Sequence, residues 1–405
     1  MSQKSQLKIA IACSGLGVIS RGVETWAADL ARALHRNSAN VSLFQGGNDT
    51  NPTDADWQYV LPCARRLDPR LAKTVKLFQK IGGWRYGFGS GYQIEQTTFA
   101  LNLFPRIRKE YDIVHVQDPW IAYMMERLHR MGLSRPRAIL ANGTEEPTEF
   151  LQKLSYLQHL APNYLEDWKS QQPAGQQAFA IPNFVKTEQF RPATMNERRE
   201  ARKQWEIPED HLVVLSVAAL KKTHKRVDLL IREFDDFSKL YPGKTTLVVA
   251  GAREPDTNEI LALGREKLGD RVKFLESLKR DRVLSLYHMA DIFALASSHE
   301  MMPIALLEAL SCGLPVACNN TATMLWMAKP AGPLCNIDSE GGLSGQLRAL
   351  SDPEIRKVYS TRAREHAIAN FSEPVVLNQI VAMYEDVCKN PIAQSKKSKS
   401  MESAR

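Results

Sequence analysis

The chain has 405 residues, of which 44% are hydrophobic and 24% charged, and its formal net charge is +8. This length suits two domains, and the composition is that of an ordinary globular protein. No apolar run approaches the roughly 18 residues of a membrane span. The polar start, residues 1–6, does not resemble a secretory signal. We therefore expect a cytoplasmic protein, with peripheral contact at the inner face of a membrane as a further hypothesis.

Net charge and cysteine content indicate which ligands and which cysteine chemistry to expect. The six cysteines show no C-x-x-C spacing, which favours reduced thiols over disulfides or a zinc site. Residues 391–405 hold four basic residues and one acidic residue, a net +3, so the rest of the chain carries about +5 (8 − 3). We expect this tail to be disordered. The excess of positive charge suits phosphorylated ligands. No nucleic-acid motif is present, so we expect no nucleic-acid partner.

Strand and helix patterns open each half of the chain in the same way. Residues 7–13 read as a strand, and a loop with Gly15 and Gly17 leads to a helix over 23–34. Residues 212–220 read as a second such strand, followed by the polar loop 221–226 and a helix from Val227. Further strands are predicted at 111–116, 137–141, 245–250 and 272–275. This alternation predicts an α/β protein with two Rossmann-like domains, each built on a parallel sheet.

Two glutamates, Glu300 and Glu308, stand eight positions apart after a predicted buried strand at 291–296. Pro303 suits the first turn of a helix and Gly313 its end. Glu300 would then lie beyond the carboxyl end of a strand, where open α/β sheets bind ligands. Glu308 lies in an almost wholly apolar helix, and a buried carboxylate is costly without a partner. Hydroxyl groups of a sugar or ribose would be suitable partners.

This spacing, with the run from Glu308 through Gly313-Leu-Pro-Val316, resembles the E-x7-E motif of the retaining glycosyltransferases of glycosyltransferase family 4. The alternative is two unrelated glutamates, one solvated and one paired to an internal Arg or Lys. The resemblance implies the GT-B fold: two Rossmann-like domains with parallel sheets facing across a cleft, and a C-terminal helix that crosses back to the first domain.

The resemblance also implies a division of the chain. A proline-bounded segment around 180–192 would join the domains, although Phe184 stands where the family often has glycine. We therefore predict an N-terminal, acceptor-side domain over 1–182 and a donor domain over 193–372. A crossover helix over 373–390 and the basic tail over 391–405 would follow.

The activity implied is transfer of a sugar from a nucleotide-diphosphate-sugar donor to an unknown acceptor, which could be a glycan, a lipid-linked molecule or a small molecule. The resemblance implies retention of configuration and no metal, and we expect no cofactor, because the nucleotide-sugar is a substrate. Two alternatives stay open. One is a nucleotide-sugar hydrolase or epimerase on the same fold, and the other is a non-catalytic nucleotide-sugar-binding module.

The basic loop 221–226 is the predicted phosphate side of this site. Charge builds on the leaving diphosphate as the glycosidic bond breaks, and a cation placed there stabilises the transition state. The resemblance assigns this role to Lys225, which with Glu300 forms the predicted catalytic pair. Where the family often has Gly-Arg-Leu, this chain has Ala-Ala-Leu, so the second cation is either absent or supplied by Lys221, His224 or Arg226. A solvated basic loop is the alternative.

The remaining donor contacts are also implied by the resemblance. Glu300 would contact hydroxyl groups of the donor sugar, and Glu308 the ribose. Backbone groups of Met302, Pro303 and Ile304 would face the phosphates at the helix N-terminus, although Pro303 has no N–H and the family's usual glycine is missing here.

The resemblance implies that the loop with Gly15 and Gly17 closes over the donor phosphates or the acceptor. Ser20 stands where a dinucleotide fingerprint needs a third glycine, and the strand at 40–44 is followed by no carboxylate, so NAD is disfavoured. The alternative is a tight turn in which both glycines are purely structural.

On the acceptor side, Asn142 and Gly143 follow a predicted strand where many family members have His-Gly. Asn142 can form hydrogen bonds but cannot act as a base, and Glu145 could substitute for it. A solvated Glu145 is the commoner situation. We interpret His115 as a histidine of the core or rim.

Two further segments contain charged residues in patterns that known sites use. Residues 54–56 have the D-x-D spacing of metal-dependent transferases but lie in a polar loop, so we predict no metal site. Residues 65–85 combine seven basic residues with apolar and aromatic ones. This segment could contact a membrane surface or a large acceptor. The alternative is a surface helix that packs its apolar face on the first domain.

Overall fold

The computed structural model describes residues 7–19, 21–47 and 56–392. Ser20, the first two residues of the D-x-D segment and the tail from 393 onward lie outside the described residues. The chain divides into two compact units. The first takes in the described residues up to Ile181 and those from Leu377 onward, and the second is Pro182–Val376.

The first unit is built on a parallel sheet of strand order β3-β2-β1-β4-β5-β6-β7. Its elements in chain order are β1 (Lys8–Cys13), α1 (Gly22–Arg36), β2 (Asn40–Gln45), β3 (Gln58–Val60), α2 (Leu71–Gln79), a short 3-10 helix (Gly83–Tyr86), α3 (Gly91–Ile107), β4 (Ile113–Val116), α4 (Pro119–Arg130), β5 (Arg137–Asn142), α5 (Thr148–Leu151), β6 (Tyr156–His159), α6 (Pro162–Lys169) and β7 (Gln177–Ala180).

Helices cover both faces of this sheet, which is why its central strands are apolar runs rather than alternating patterns. On one face, Val114 and Val116 pack with Phe99 of α3 and Ile121 of α4 in a single buried cluster. On the other face lies the apolar stripe of α1, which includes the buried Trp26.

The second unit has a parallel sheet of strand order β10-β9-β8-β11-β12. Its elements are α7 (Met195–Gln204), β8 (Leu212–Val217), α8 (Val227–Leu240), β9 (Thr245–Gly251), α9 (Thr257–Leu268), 3-10 helices at Gly269–Arg271, Arg280–Arg282 and Lys329–Ala331, β10 (Val272–Glu276), α10 (Val283–Met289), β11 (Ile292–Leu295), α11 (Ile304–Ser311), β12 (Val316–Cys318), α12 (Ala322–Ala328), α13 (Gly342–Leu350) and α14 (Pro353–Phe371).

The final described helix, α15 (Glu373–Lys389), begins in the second unit and belongs to the first from Leu377 onward. Within the first unit, the hydroxyl of Tyr384 lies 2.7 Å from Nδ1 of the buried His115. The two rings also meet edge to face, with centroids 5.6 Å apart. The last turns of the chain's final described helix therefore form part of the core of the first unit.

The prediction of two Rossmann-like units with parallel sheets is confirmed, with small differences at the ends of elements. The strand predicted over 212–220 ends at Val217, and Leu220 forms only an isolated bridge with Arg253. The strand predicted from 111 begins at Ile113. Pro303 precedes α11 as its N-cap residue instead of lying in the first turn. Gly313 ends that helix as predicted, with φ +70°.

Each sheet has one point at which the strand order reverses. In the first unit it lies between β1 and β4, and in the second it lies between β8 and β11. Ligands of open parallel sheets bind at such a switch point, beyond the carboxyl ends of the strands. We therefore expect ligand-binding residues in the loops after these four strands.

All six cysteines lie in the described part of the chain, and each is a free thiol. Among the helices that the structure describes, none combines the length and the apolar character needed to cross a membrane.

Candidate functional site

The loops after β8 and β11 meet at the switch point of the second unit. The backbone N–H of Ser298 donates a hydrogen bond of 2.9 Å to the carbonyl of His224. This bond joins the loop that carries Lys225 to the loop that carries Glu300. This bond is made by the backbone carbonyl of His224, a predicted donor residue.

The side chains of Lys225 and Glu300 form an ion pair at this point. The hydroxyl of Ser297 donates a second hydrogen bond of 2.7 Å to the same carboxylate oxygen. Only 18% of the Lys225 side chain and 9% of the Glu300 side chain are exposed. A cation and a carboxylate are thus held side by side in a partly desolvated position, where their mutual attraction is stronger than in water.

The other cations of the basic loop are directed elsewhere. Arg226 has a left-handed backbone (φ +48°) as the N-cap residue of α8, and its guanidinium pairs with Asp338. The ammonium of Lys222 pairs with Glu259 of α9. Lys225, one of the loop residues predicted to bind phosphate, is thus brought to Glu300, whereas Arg226 pairs with Asp338.

Glu308 is buried in the second turn of α11, and its partners include a tyrosine and an arginine. The hydroxyl of Tyr287 donates a hydrogen bond of 2.7 Å to Oε2, and Arg280 forms an ion pair with Oε1. Burial and the neighbouring carboxylate raise the pKa of Tyr287 well above its ordinary value. The structure thus agrees with the alternative in which Glu308 is paired to an internal Arg. Its partners come from the segment before β11, and no sequence motif had singled them out.

The N-terminus of α11 lies beside Glu300 in the chain. Pro303 has extended backbone angles (φ −72°, ψ 116°), and its carbonyl accepts the first helical hydrogen bond, from Leu306 at 3.1 Å. The N–H groups of Ile304 and Ala305, which precede this bond in the first turn, have no acceptor within the helix. Met302 is buried, with its sulfur 3.1 Å from the backbone nitrogen of Asn183. The helix end can therefore offer N–H donors to an anion.

In the first unit, the loop after β1 is tightly packed at the corresponding switch point. Gly17 has a left-handed φ of +85°, and a Cβ there would lie 2.3 Å from the carbonyl oxygen of Gly47. A Cβ on Gly15 would lie 2.2 Å from a carboxylate oxygen of Glu24. Both glycines thus have a packing reason, as the alternative for this loop proposed.

Buried carboxylates surround this loop. Asp118, at the end of β4, accepts hydrogen bonds from the backbone N–H of Ser14 at 2.8 Å and from the hydroxyl of Tyr92 at 2.6 Å. Glu95 is paired with Arg66 at 2.6 Å. Burial raises the pKa of both Glu24 and Asp118. The cluster ties α1, α3 and the strand ends together.

The predicted acceptor-side residues follow β5. Asn142 is buried opposite His159 of β6, and its Oδ1 has no hydrogen-bond partner among the described residues. Gly143 lies against the side chain of Gln117, the residue after β4. Glu145 is exposed. Asn142 and Gly143 therefore lie at the carboxyl end of β5. Glu145 lies in the loop that follows this strand.

His115, in contrast, is a core residue, as the sequence indicated. It is completely buried between Trp26 and Tyr384, and burial lowers its pKa to about 3. The imidazole is therefore neutral in the folded protein at ordinary pH.

The segment 65–85 packs on the first unit and also exposes apolar side chains. One side of α2 packs inward through half-buried residues, and Phe78 stacks on Phe88 with ring centroids 4.6 Å apart. The outer side is different, because Leu77, Ile81 and Trp84 are 68%, 67% and 58% exposed. Lysines share that outer side, so the helix packs on the unit and still presents apolar groups to solvent.

A metal centre is not formed by the part of the chain that the structure describes, since no group of three His, Cys, Asp or Glu side chains there could hold an ion. The second half of the D-x-D segment, Asp56, is exposed.

Part of the second unit is similar to a known protein family. Residues 197–366 match the family model "Glycosyl transferases group 1". That range contains the Lys225–Glu300 pair, Glu308 and both of its partners.

Curated relatives match over part of their length. The chain is 28% identical over 195 residues to N-acetyl-alpha-D-glucosaminyl L-malate synthase of Bacillus anthracis, which covers 47% of this chain and 50% of the relative. It is 32% identical over 205 residues to D-inositol 3-phosphate glycosyltransferase of Mycobacteroides abscessus, covering 47% and 43%. The chain thus spans about half the length of the curated relatives it matches.

Solved structures match over nearly the whole chain. Sucrose-phosphate synthase from Thermosynechococcus elongatus superposes with a TM-score of 0.74 at 17% identity, covering 94% of this chain and 99% of that one. HepE from Anabaena in complex with UDP-glucose gives 0.69 at 14%, covering 94% and 100%. The chain therefore has the GT-B fold of these proteins, and its second unit carries the sequence pattern of the glycosyl transferases group 1 family.

Proposed function

We propose that this protein is a retaining, metal-independent glycosyltransferase of glycosyltransferase family 4 that uses a nucleotide-diphosphate-sugar donor. One observation carries the proposal: Lys225 and Glu300 meet at the switch point of the second unit, inside the range that matches the family model. A related fold, that of HepE, has been solved with UDP-glucose, which supports a donor of this class.

In the proposed reaction, the bond between the anomeric carbon and the diphosphate oxygen breaks while the acceptor hydroxyl oxygen bonds to the same carbon. The acceptor proton passes to the departing diphosphate. Lys225 is placed to stabilise negative charge that grows on that diphosphate, and a cation that binds the transition state more strongly than the ground state accelerates the step. N–H groups at the start of α11 would bind the same anion.

Glu300 is the proposed receptor of the donor sugar. An ionised carboxylate accepts several hydrogen bonds, and sugar hydroxyls are donors of the right kind. When the diphosphate attracts Lys225, the carboxylate of Glu300 keeps Ser297 and gains hydroxyl partners. The ion pair of the free protein thus holds both side chains in position for the donor.

Glu308 is the proposed receptor of the ribose. Its two oxygens offer about four acceptor sites, and ribose hydroxyl groups are donors that such a carboxylate accepts. Because Tyr287 and Arg280 already satisfy part of the carboxylate, they hold it in one orientation before the nucleotide arrives. Met302 and Pro303 shape the neighbouring turn, and Gly15 and Gly17 stay as predicted donor contacts of the first unit.

Titration of the protein with UDP, GDP and ADP by calorimetry tests the donor site. We expect one of them to bind, and failure of all three would overturn the enzyme interpretation and the binding-module alternative together. Given binding, mass detection across a panel of nucleotide-sugars with candidate acceptors separates the activities. Transfer products support the proposal, free sugar or an epimerised donor supports the hydrolase or epimerase, and an unchanged donor supports the binding module.

The substitution Glu300→Gln then tests the site, because it keeps the shape of the side chain and removes its charge. We expect it to abolish transfer while the protein keeps its folded circular dichroism spectrum. Unchanged transfer by this variant would refute the assignment of Glu300.

We further propose that the protein is cytoplasmic and contacts a membrane through the outer side of α2 and the following turn. Arg70, Lys73, Lys76, Lys80 and Arg85 are exposed there, and none has an ion-pair partner among the described residues. The exposed Leu77, Ile81 and Trp84 lie among them. Basic residues attract anionic lipid head groups, and apolar and aromatic side chains enter the interface.

Co-sedimentation with phosphatidylcholine vesicles, with and without phosphatidylglycerol, tests this contact. We expect binding that requires phosphatidylglycerol, and Lys76→Glu with Lys80→Glu should weaken it by at least about tenfold. Arg106→Glu with Lys109→Glu is the matched control, because these exposed residues also lie at a helix end of the same unit. Equal weakening by both pairs would indicate net charge alone and would overturn the proposed surface.

A further inference from the structure

A cavity of about 910 Å³ opens in the first unit, next to the carboxyl ends of β4 and β5. Its lining includes Trp84, Tyr92, Trp120, Tyr123, Glu146 and Phe150. Cavities of this size bury small-molecule ligands, and in parallel sheets they form where this one does, beside the switch point. None of the donor residues proposed above lines it, so it needs a ligand of its own.

Aromatic rings make a continuous wall of this cavity. Trp120 and Tyr123 have ring centroids 5.0 Å apart, and Tyr123 and Phe150 have centroids 5.8 Å apart. Trp120 is 9% exposed, and its backbone N–H donates 2.8 Å to the side-chain oxygen of the buried Gln96. Because this bond fixes the start of α4, the wall is in place before a ligand arrives.

The charged side chains of the cavity include both signs. Glu146 is half-buried and accepts a hydrogen bond of 2.9 Å from the hydroxyl of Thr144, and burial raises the pKa of its carboxyl. Glu149, Arg85 and Lys153 also line the cavity. The two carboxylates and the two cations balance, which favours a neutral ligand over an anionic one. A hydrocarbon chain would cover the Glu146 carboxylate without adding a donor to the single bond from Thr144, and desolvating a charge in this way is costly.

A neutral ring with apolar faces and a rim of hydroxyl groups satisfies both parts of the lining. Its faces can lie on Trp84, Trp120 and Tyr123, and its hydroxyls can donate to Glu146 and Glu149. We propose that this cavity binds the acceptor of the transfer reaction as a neutral polyhydroxylated ring, a pyranose or a cyclitol. This inference rests on the proposed glycosyl transfer and specifies its acceptor class.

Saturation-transfer difference NMR on the full chain tests the inference without requiring turnover. The probes are methyl α-D-glucopyranoside, methyl α-D-galactopyranoside and myo-inositol, with glucose 6-phosphate as the anionic and hexanol as the apolar comparison. We expect ring C–H protons of at least one neutral probe to receive saturation. Loss of one aromatic face in Trp84→Ala should weaken that binding roughly two- to tenfold.

Tyr86→Ala is the matched control, because Tyr86 is an exposed aromatic of the same 3-10 helix that does not line the cavity. Glu146→Gln is a second variant that keeps the side-chain shape, and it should also weaken binding. Saturation of hexanol or glucose 6-phosphate alone would overturn the inference, as would neutral-ring binding that is unaffected by Trp84→Ala and Glu146→Gln.

The test also separates this inference from the proposed function. If UDP, GDP or ADP binds while no neutral ring receives saturation, the acceptor class is wrong and the donor site stands. If neutral rings bind but no nucleotide does, the cavity is a carbohydrate site and the proposed transfer is wrong.

Discussion

Lys225 and Glu300 form an ion pair although 75 positions separate them in the chain. They meet because β8 and β11 are neighbours in the sheet, with Val214 opposite Ile292, and because the loops after these strands are joined by the bond from Ser298 to His224. A cation and a carboxylate are thus brought together by strand order. The pair is a property of the topology as much as of the two residues.

Replacing Lys225 with Met should remove most of the transfer activity. The variant keeps the length of the side chain but cannot stabilise charge on the departing diphosphate, and loss of one such group typically costs about 10² to 10³ in rate. Initial rates at saturating donor measure the effect. Lys222→Met is the control, because Lys222 lies in the same loop and pairs with Glu259. A Lys225→Met enzyme as fast as the Lys222→Met enzyme would contradict the assignment.

Replacing Glu308 with Ala should reduce both stability and nucleotide affinity. It removes the acceptor that Tyr287 and Arg280 share, although Tyr287 keeps its longer bond of 3.2 Å to the carbonyl of Ala305, and the loss of a hydrogen bond to a charged group costs about 1.5–3 kcal/mol. The free energy of unfolding from urea titration measures the first effect, and calorimetry with the bound nucleotide measures the second. Glu266→Ala, at a side chain that is 71% exposed, should change neither. A stable Glu308→Ala protein with unchanged affinity would show that Glu308 has no role at this site.

The strands and the switch-point loops were predictable because they depend on local patterns such as apolar runs and glycine positions, whereas the assignment of Lys225 and Glu300 to the site depended on the resemblance to glycosyltransferase family 4. The sequence did not predict the partners of Glu308. Arg280 lies in a short 3-10 helix without periodicity, and Tyr287 fits the apolar pattern of α10, so its hydroxyl was hidden. The aromatic cavity was missed for a related reason, since Trp84, Trp120 and Phe150 come from three separate segments that only the folded first unit brings together.

The stability of the protein should fall as the pH is lowered from about 6.5 toward about 3, in part through His115. Its pKa is about 3 in the folded protein, against 6.5 for an ordinary histidine, because burial disfavours the charged form. Over this range the unfolded chain binds a proton that the folded chain does not, so the free energy of unfolding decreases with decreasing pH. Burial lowers the pKa of His159 to about 4 and adds in the same direction.

His115→Gln should therefore reduce the slope of the free energy of unfolding against pH in this window, and His159→Gln should reduce it over the narrower range from about 6.5 to about 4. Urea unfolding at a series of pH values, followed by tryptophan fluorescence, gives the slope. The same slope in the His115→Gln and parent proteins would mean that His115 is protonated in the folded state.

Gly313 should tolerate alanine poorly, whereas Gly345 should accept it. Gly313 has φ +70° just after α11, where its N–H donates to Leu310 and the N–H of Leu314 donates to Ala309, the pattern of a Schellman C-cap. A non-glycine residue in this conformation costs about 1–2 kcal/mol. Gly345 lies inside α13, where an added Cβ meets nothing within 4 Å, and alanine should stabilise the helix by up to about 1 kcal/mol. Urea unfolding of the two variants should thus shift the midpoint in opposite directions. A shift in the same direction for both would show that backbone conformation does not decide the effect at Gly313.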